Sequence, residues 1–494
     1  MATQKRMLPP PLWERVKNKE VDEPDKWNDY PTAQFPLQVT RRLIGDLWEV
    51  DGMPLIRHWR GDFHTWTGTH WKTQADEISI ERRIWYRLEE VTAPNKDGNP
   101  VPWAPTPNKV SNLMRTLVVE SHIHDDTDVP ALIDENGAIS RLPHRVVAMD
   151  NGVLDLKTRE IHAHTPEMFN KWALPFNYAP AAECSRWQQF IGEVFAHDPA
   201  GALALQEYAG YLVAGRTDLQ KALLIVGPPA GGKGTISHVL QQIMGQDNTV
   251  PISFKDLAEN FGAESLIGKS LLIVEDARDD EDRHTKPPLE RLLTIIADDG
   301  VSVNRKGKPY WNGRLHTRVA IFTNNIPSFK DPSGAILRRF LMVQLQGQFQ
   351  GAKSDSKLKD KLDKELPGIF NWALDGLDRL EHQGHFTTPA TAETVHAVMS
   401  DITSPLKMWI DEQDVLEVTG NPNDCVEERR VRESYNYWAR SQERGKYTRE
   451  RFVSQFQATF PMVQMKNTTP PGGGDKARYF FGIKDHQPHI TTPW

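Results

Sequence analysis

The sequence predicts a multidomain α/β protein, and three observations predict it. Short alternating strand patterns over residues 46–175 give way, from Ser185, to apolar spacing of helical period. Four buried-strand runs, ALLIV, LLIVE, RVAIFT and FLMVQL, then alternate with helical patterns between 221 and 350, which describes an α/β layered core. Finally, 494 residues exceed the ~250–300 at which a single core stops growing, so several domains are expected. Hydrophobic residues make up 38% and charged residues 25% of the chain, a composition that folds. Lys and Arg number 59 against 66 Asp and Glu, a net charge of −7, which excludes a protein that coats nucleic acid by bulk charge. Any nucleic-acid site is therefore expected as a local basic patch. Two cysteines, Cys184 and Cys425, build neither a Cys-rich zinc site nor a disulfide framework, so a reducing cytosol is expected. The sequence has no apolar run of the ~18 residues a membrane span needs, and MATQKRMLPPPLWERV lacks the apolar core of a signal peptide; no membrane association is expected.

Residues 1–45, with Pro9, Pro10, Pro11, Pro24, Pro31 and Pro36, read as a tail. Residues 46–175 read as a strand-rich N-terminal domain. LIRHWRGDFHTWTGTHW and VVAMDNGVLDLKTREIHAH carry the strands, the second with turn chemistry at Asn151-Gly152. The tryptophans of residues 1–175, among them Trp13, Trp27, Trp48, Trp59, Trp66, Trp71, Trp85 and Trp103, read as core in preference to a stacking platform for bases beside Arg57 and Arg60. His122 with His124, and His162 with His164, alternate as on exposed strands and lack companion ligands for a metal. Residues 176–220 form a helical collar, with Trp187, Phe190, Ile191, Val194 and Phe195 on one face behind Ser185 as N-cap, and a second helix through Leu203, Leu205, Tyr208 and Leu212. Residues 221–350 are the α/β core, and 351–390 are charged helices forming a lid or linker. Residues 391–494 hold two helices, 431–444 and 449–459 behind Thr448 as cap. A strand pair around Pro470-Pro471-Gly472-Gly473-Gly474 follows, and together they suggest a winged-helix DNA-binding domain.

The segment GPPAGGKGT, comprising Gly227, Pro228, Pro229, Ala230, Gly231, Gly232, Lys233, Gly234 and Thr235, matches the phosphate-binding pattern G-x4-G-K. That pattern alone is weak; its setting between the strand ALLIV and a helix face of Ile236, Val239, Leu240 and Ile243 strengthens it. Backbone N–H groups would wrap phosphates at a helix N-terminus, where the dipole favours anions, and Lys233 would reach the β- and γ-phosphates. ATP and Mg²⁺ are therefore the expected cofactors. Where the pattern wants Ser or Thr for the metal the chain has Gly234, and the hydroxyl comes one residue later at Thr235. Nucleoside monophosphate kinases share Gly-Lys-Gly-Thr, so the loop alone does not separate a small-molecule kinase from a motor ATPase.

LLIVEDAR ends a buried strand in Glu275-Asp276, a pair suited to holding Mg²⁺ and orienting or deprotonating water. RVAIFTNNIPSF places Thr323, Asn324 and Asn325 at another strand end, where an amide can act as sensor of the γ-phosphate. GAILRRFLMVQL carries Arg338 and Arg339 before the last strand, and an arginine lent to a neighbouring subunit would stabilise transferring phosphoryl charge. Between acid and sensor, residues 301–320 hold Arg305, Lys306, Lys308, Arg314 and Arg318 and no acid, a charge of +5. The Val-Ser-Val alternation, the Gly307 turn and the aromatics Tyr310 and Trp311 predict a hairpin whose basic tip grips phosphates without reading sequence.

In that order, GPPAGGKG, IVED, VNRKGK, FTNNIP and LRRF resemble a superfamily 3 DNA helicase of the phage and plasmid primase-helicase type. Upstream, RGDFHTWTGTHW, MDNGVLDL and FNYAPAAECSRWQQFIGEVFAHD look like the poxvirus-like region that precedes such helicases; downstream, VRESYNYWARSQERGKYTRERFVSQF looks like their winged helix. The resemblance implies an AAA+-like P-loop ATPase core, with Lys233 on the phosphates, Glu275, Asp276 and Thr235 around Mg²⁺, and Asn324 as sensor. It makes Arg339 the finger, with Arg338 as fallback, and Lys306 the hairpin residue that touches DNA. Gly307 stands where viral relatives have histidine, so Lys308 is the expected substitute, beside Arg305. It further implies a hexameric ring moving 3′ to 5′ along single-stranded or forked DNA, in phage, prophage or plasmid replication in a bacterial cytoplasm, with a separate primase as partner. No primase activity is expected of this chain. Two rivals are an initiator or loader that uses ATP only to assemble on DNA, and a nucleotide or polynucleotide kinase, which leaves the basic hairpin and LRRF without a role.

Overall fold

The computed structural model describes residues 29–74, 76–125, 127–134, 137–140, 142, 145–275, 289–325, 338–347, 355–395, 405–413, 415–442, 446–469 and 476–486. They fall into a mixed α/β, multidomain architecture of two compact units, Met1–Ala182 and Glu183–Trp494.

In the first unit, helix α1 (Pro36–Leu47) contributes Val39, Leu43 and Ile44 to the core. The tail expected over residues 1–45 therefore extends too far: Pro36 pre-sets the first helical turn, and the apolar residues after it fall on one helical face. Strands β1 (Ile56–Trp59) and β2 (Asp62–Trp66) form a hairpin whose two turn residues, Arg60 and Gly61, sit at φ 51° and 81°, the geometry that matches strand twist. Strand β3 (Trp71–Thr73) completes that sheet. Helices α2 (Ile78–Glu89) and α3 (Pro107–Glu120) pack Ile80, Ile84, Leu88, Val110, Leu113 and Leu117 against it. This domain is thus mixed, with helices packed beside its many short strands, and Thr106 caps α3 by accepting from Lys109 N–H. Strands β4 (Val146–Met149) and β5 (Gly152–Asp155) pair around Asp150 and Asn151 as their turn chemistry predicts. Trp48, Trp59, Trp71 and Trp103 are buried, as core residues should be; Trp13 and Trp27 lie outside the described residues.

The second unit begins with helices α4 (Ser185–Val194) and α5 (Pro199–Val213). Ser185 does not cap α4. It is the first helical residue, and the Glu365 carboxylate accepts instead from Arg186 N–H (3.1 Å) and Trp187 N–H (3.0 Å), a charged cap from a distant part of the chain. The core is built from β6 (Ala222–Val226), α6 (Lys233–Met244), β7 (Thr249–Pro251), β8 (Leu271–Glu275), α7 (Leu289–Ile296), the hairpin strands β9 (Val301–Arg305) and β10 (Lys308–Gly313), β11 (Arg318–Thr323) and β12 (Phe340–Gln344). Five of these strands form one parallel sheet in the order β7-β8-β11-β6-β12. Their near-continuous apolar runs are those of strands covered on both faces. The edge strand β7 is too short to have shown a pattern in the sequence.

Helix α8 (Leu358–Asp363) and the longer α9 (Leu366–Gln383) follow the sheet. Helix α5 is apolar almost all round because Tyr208 OH donates to Val319 O of β11 at 2.6 Å on one side while α9 covers another. Gly210 makes the second contact possible: a Cβ there would stand 2.5 Å from Ala373 O and from Leu377 N. The C-terminal part contains α10 (Pro405–Glu412), β13 (Leu416–Val418), β14 (Cys425–Glu427), α11 (Glu428–Ser441), α12 (Arg449–Thr459), β15 (Gln464–Thr468), β16 (Ala477–Phe481) and β17 (Ile483–Asp485) around Trp409, Tyr435, Phe452, Phe456 and Phe480. Thr448 caps α12 by accepting from Arg451 N–H, and β15 pairs antiparallel with β16 as expected. The loop Pro470–Gly474 lies outside the described residues. Among the described residues, no helix is long and apolar enough to cross a membrane.

Candidate functional site

The parallel sheet brings the ends of β6, β8 and β11 to one edge: Val226 pairs with Thr323 and Glu275 with Phe322. Side chains beyond the carboxyl ends of such strands converge on a shared crevice. Gly227 N–H donates to Thr323 O at 3.2 Å, so the loop leaving β6 is tied to the end of β11. That loop turns tightly, with Ala230 at φ 58° and Gly232 at φ 98°, both left-handed. Gly231 has no room for a side chain, since a Cβ would meet Pro228 O at 2.9 Å and Gly347 O at 3.0 Å. Helix α6 starts directly after Gly232, whose lack of a side chain leaves the first-turn N–H groups without a cap from that residue. A backbone-lined turn opening onto an uncapped helix start suits an anion such as a phosphate.

Lys233 Nζ donates to Gly227 O (2.6 Å), Pro228 O (2.8 Å) and Asn324 Oδ1 (2.8 Å), which brings together the lysine of the loop and the amide of the FTNN strand end. Glu275 sits exposed at the tip of β8, and its Oε1 accepts from Ser237 Oγ at 2.7 Å. Ser237 is fully buried and accepts in turn from Gln241 Nε2 at 3.1 Å. The sequence reading missed Ser237. Its signal was its position four residues after Lys233, which places both on one face of α6. His238 Nε2 lies 2.7 Å from Asp363 Oδ1, joining α6 to α8. Gly234 and Thr235 occupy the first turn of α6, while Asp276 lies outside the described residues.

Strands β9 and β10 form the expected hairpin, with Gly307 at φ 71° beside Lys306 at its tip. Lys306 is exposed and its N–H donates to Glu264 Oε2 at 3.2 Å; Tyr310 is exposed at 62%. Arg305, expected alongside Lys306 at the DNA-binding tip, is buried: strand alternation puts it two residues on from buried Val303, on the same face of β9. Arg318 is likewise buried, donating to His316 O and Leu212 O, so part of the segment's positive charge is structural. Just before β12, Arg338 is exposed, with its carbonyl accepting from Lys221 Nζ, and Arg339 is half-buried. The backbone of Lys308 lies in β10.

Two family models match segments of this chain. Residues 55–196 match a model described as "D5 N terminal like", and residues 225–339, from the end of β6 to Arg339, match one described as a "family of unknown function (DUF5906)". Each match spans less than half of the chain. Among solved structures, the chain is similar to the apo C-terminal region of NrS-1 at a TM-score of 0.47 and 13% identity, over 87% of this chain and 86% of that one. An A-form apo structure of the same region covers 90% of this chain and 99% of that chain, at a TM-score of 0.46 and 11% identity. A likeness so distant says nothing of function.

Proposed function

We propose that this protein is an ATP-dependent, ring-forming DNA helicase of phage, prophage or plasmid replication, built on an AAA+-like P-loop core with a C-terminal winged helix. The observation that carries the proposal is the convergence of Lys233, Asn324 and Glu275 at one edge of the parallel sheet, with a basic-tipped hairpin inserted between the strands bearing Glu275 and Asn324. The similarity of residues 55–196 to the D5 N-terminal-like family supports the replication setting.

The N–H groups of Gly231 to Thr235 and the Lys233 ammonium would hold the phosphates of ATP, while Glu275, with Asp276 after it, would hold Mg²⁺, and Thr235, off the α6 face that meets Glu275, would contact the metal through water. When bound, Mg²⁺-ATP supplies the anhydride bond whose cleavage drives movement along DNA. Lys233 is already held among three oxygens, so its ammonium would exchange the carbonyls of Gly227 and Pro228 for phosphate while Asn324 keeps it oriented. Glu275, which accepts a hydrogen bond from Ser237, would orient the attacking water and take a proton from it. Lys306 and Lys308 would contact the phosphates of one DNA strand, and Arg339, with Arg338 beside it, would complete the site of a neighbouring chain in a hexamer moving 3′ to 5′.

Lys233→Ala and Lys306→Ala, compared in DNA-stimulated ATPase and forked-duplex unwinding assays, test the reading. The first loses both activities, and the second loses DNA stimulation and unwinding. Unwinding at the wild-type rate by Lys306→Ala would remove the hairpin from the mechanism. ATPase without unwinding by the unaltered protein would favour the initiator or loader reading.

A further inference from the structure

The hairpin of β9 and β10 leaves the core after Asp298 and returns at His316, and these two residues hold each other. Asp298 Oδ1 accepts from His316 N–H at 3.2 Å, and Oδ2 lies 3.0 Å from His316 Nδ1. The same Oδ2 accepts from Thr217 Oγ1 at 2.9 Å. Thr217 belongs to the short connector between α5 and β6, and three more bonds run alongside: Gln220 Nε2 to Ala297 O at 3.1 Å, and Arg318 to both His316 O (2.7 Å) and Leu212 O (2.9 Å).

Asp298 and His316 both occupy the left-handed region, at φ 56° and 52°. Residues other than glycine persist in such conformations where the surroundings over-determine them. A hairpin does not need them, since its own pairing already closes at Val301 and Gly313. Burial alone would raise the Asp298 carboxyl, but the His316 and Thr217 hydrogen bonds and the His316 charge outweigh it and hold it below the usual carboxylate range. The connector that receives Asp298 continues into β6 and the Gly227–Thr235 loop, and its Lys221 donates to Arg338 O.

We propose that Asp298 is a positioning residue: by clasping both roots of the hairpin to the α5–β6 connector, it fixes the direction in which the hairpin presents Lys306 to a nucleic-acid strand. The clasp itself is independent of function, while its consequence for DNA rests on the hairpin reading above.

Asp298→Ala and Thr217→Val, made in the full chain, test the proposal by three measurements: hydrogen exchange of amides 301–313, affinity for a fluorescent single-stranded oligonucleotide, and DNA-free ATPase. In Asp298→Ala, exchange across the hairpin quickens and DNA affinity falls, each by about tenfold, the loss expected of a charge-assisted hydrogen bond, while kcat and KM without DNA stay near wild type. Thr217→Val moves the first two measurements in the same direction by less. Should Asp298→Ala fail to fold, Thr217→Val carries the test, because valine keeps the shape and removes only the hydroxyl. Wild-type exchange and wild-type DNA affinity in the folded variants overturn the proposal. If Lys306→Ala leaves DNA affinity intact, the hairpin-tip reading fails by itself, and exchange across 301–313 still decides the clasp.

Discussion

Ser237 stands one helical turn beyond Lys233, so one face of α6 carries both the ammonium that meets Asn324 and the hydroxyl that meets Glu275. Because Ser237 is buried and itself braced by Gln241, its hydroxyl is directed and not merely near. A hydrogen bond to a charged group contributes about 1.5–3 kcal/mol, and about 1.4 kcal/mol is a factor of ten. Ser237→Ala should therefore lower kcat of the ATPase by about tenfold while leaving the affinity for a fluorescent ATP analogue within about twofold. Glu275→Gln should lose more, and the double variant should be no slower than Glu275→Gln alone, since the serine acts only through the carboxylate. Additive losses in that cycle would mean that Ser237 does something other than hold Glu275. Thr235, the hydroxyl the motif draws attention to, precedes Ser237 by two residues and so points off that face.

Among the elements, those whose signal is local were legible from the sequence. The strands Ala222–Val226, Leu271–Glu275, Arg318–Thr323 and Phe340–Gln344 appear as written because each is an unbroken apolar run with polar residues at its end. The Gly307 hairpin and the Thr448 cap are equally local. What was not legible depends on partners far along the chain: the Glu365 cap on α4 and the Ser237–Glu275 bond. Asp198 is another such case. Its carboxylate accepts from Gly201 N–H, Ala390 N–H, Thr391 N–H and Thr391 Oγ1, strapping the segment after α9 back onto the start of α5. Burial would raise this carboxyl, yet the hydrogen bonds from Thr391, Gly201 and Ala390 prevail and hold it below the usual range. A depressed carboxyl stabilises the folded chain above its unfolded value of about 3.9 and loses that contribution as pH falls through the folded value. Asp198→Asn should consequently be less stable than wild type at pH 7 by about 1–3 kcal/mol in urea titrations, and the gap should close only below about pH 4. A gap that stays constant down to pH 3 would assign the loss to packing instead of charge.

For the whole molecule, a net charge of −7 beside an exposed Lys306 at a hairpin tip means that electrostatics favour DNA held at one place and not spread over the surface. A closed ring achieves this by turning identical hairpins toward a common axis, and it makes each ATP site a product of two chains. In the proposed ring, the half-buried Arg339, just before β12, would serve the neighbour's Lys233 and not its own. This arrangement can be tested by mixing. Chains carrying Lys233→Ala alone, or Arg339→Ala alone, should each lack ATPase activity. In rings assembled from both, a site whose loop comes from an Arg339→Ala chain and whose arginine comes from a Lys233→Ala chain has every needed side chain. Random assembly of a one-to-one mixture yields that pairing at about one site in four, so DNA-stimulated ATPase should recover to about a quarter of the wild-type value per chain. Recovery should fall as the mixture departs from equal proportions in either direction, because intact sites scale with the product of the two fractions. No recovery at any ratio would place Arg339 in its own chain's site or outside the site altogether, and the shared-site ring would have to be abandoned.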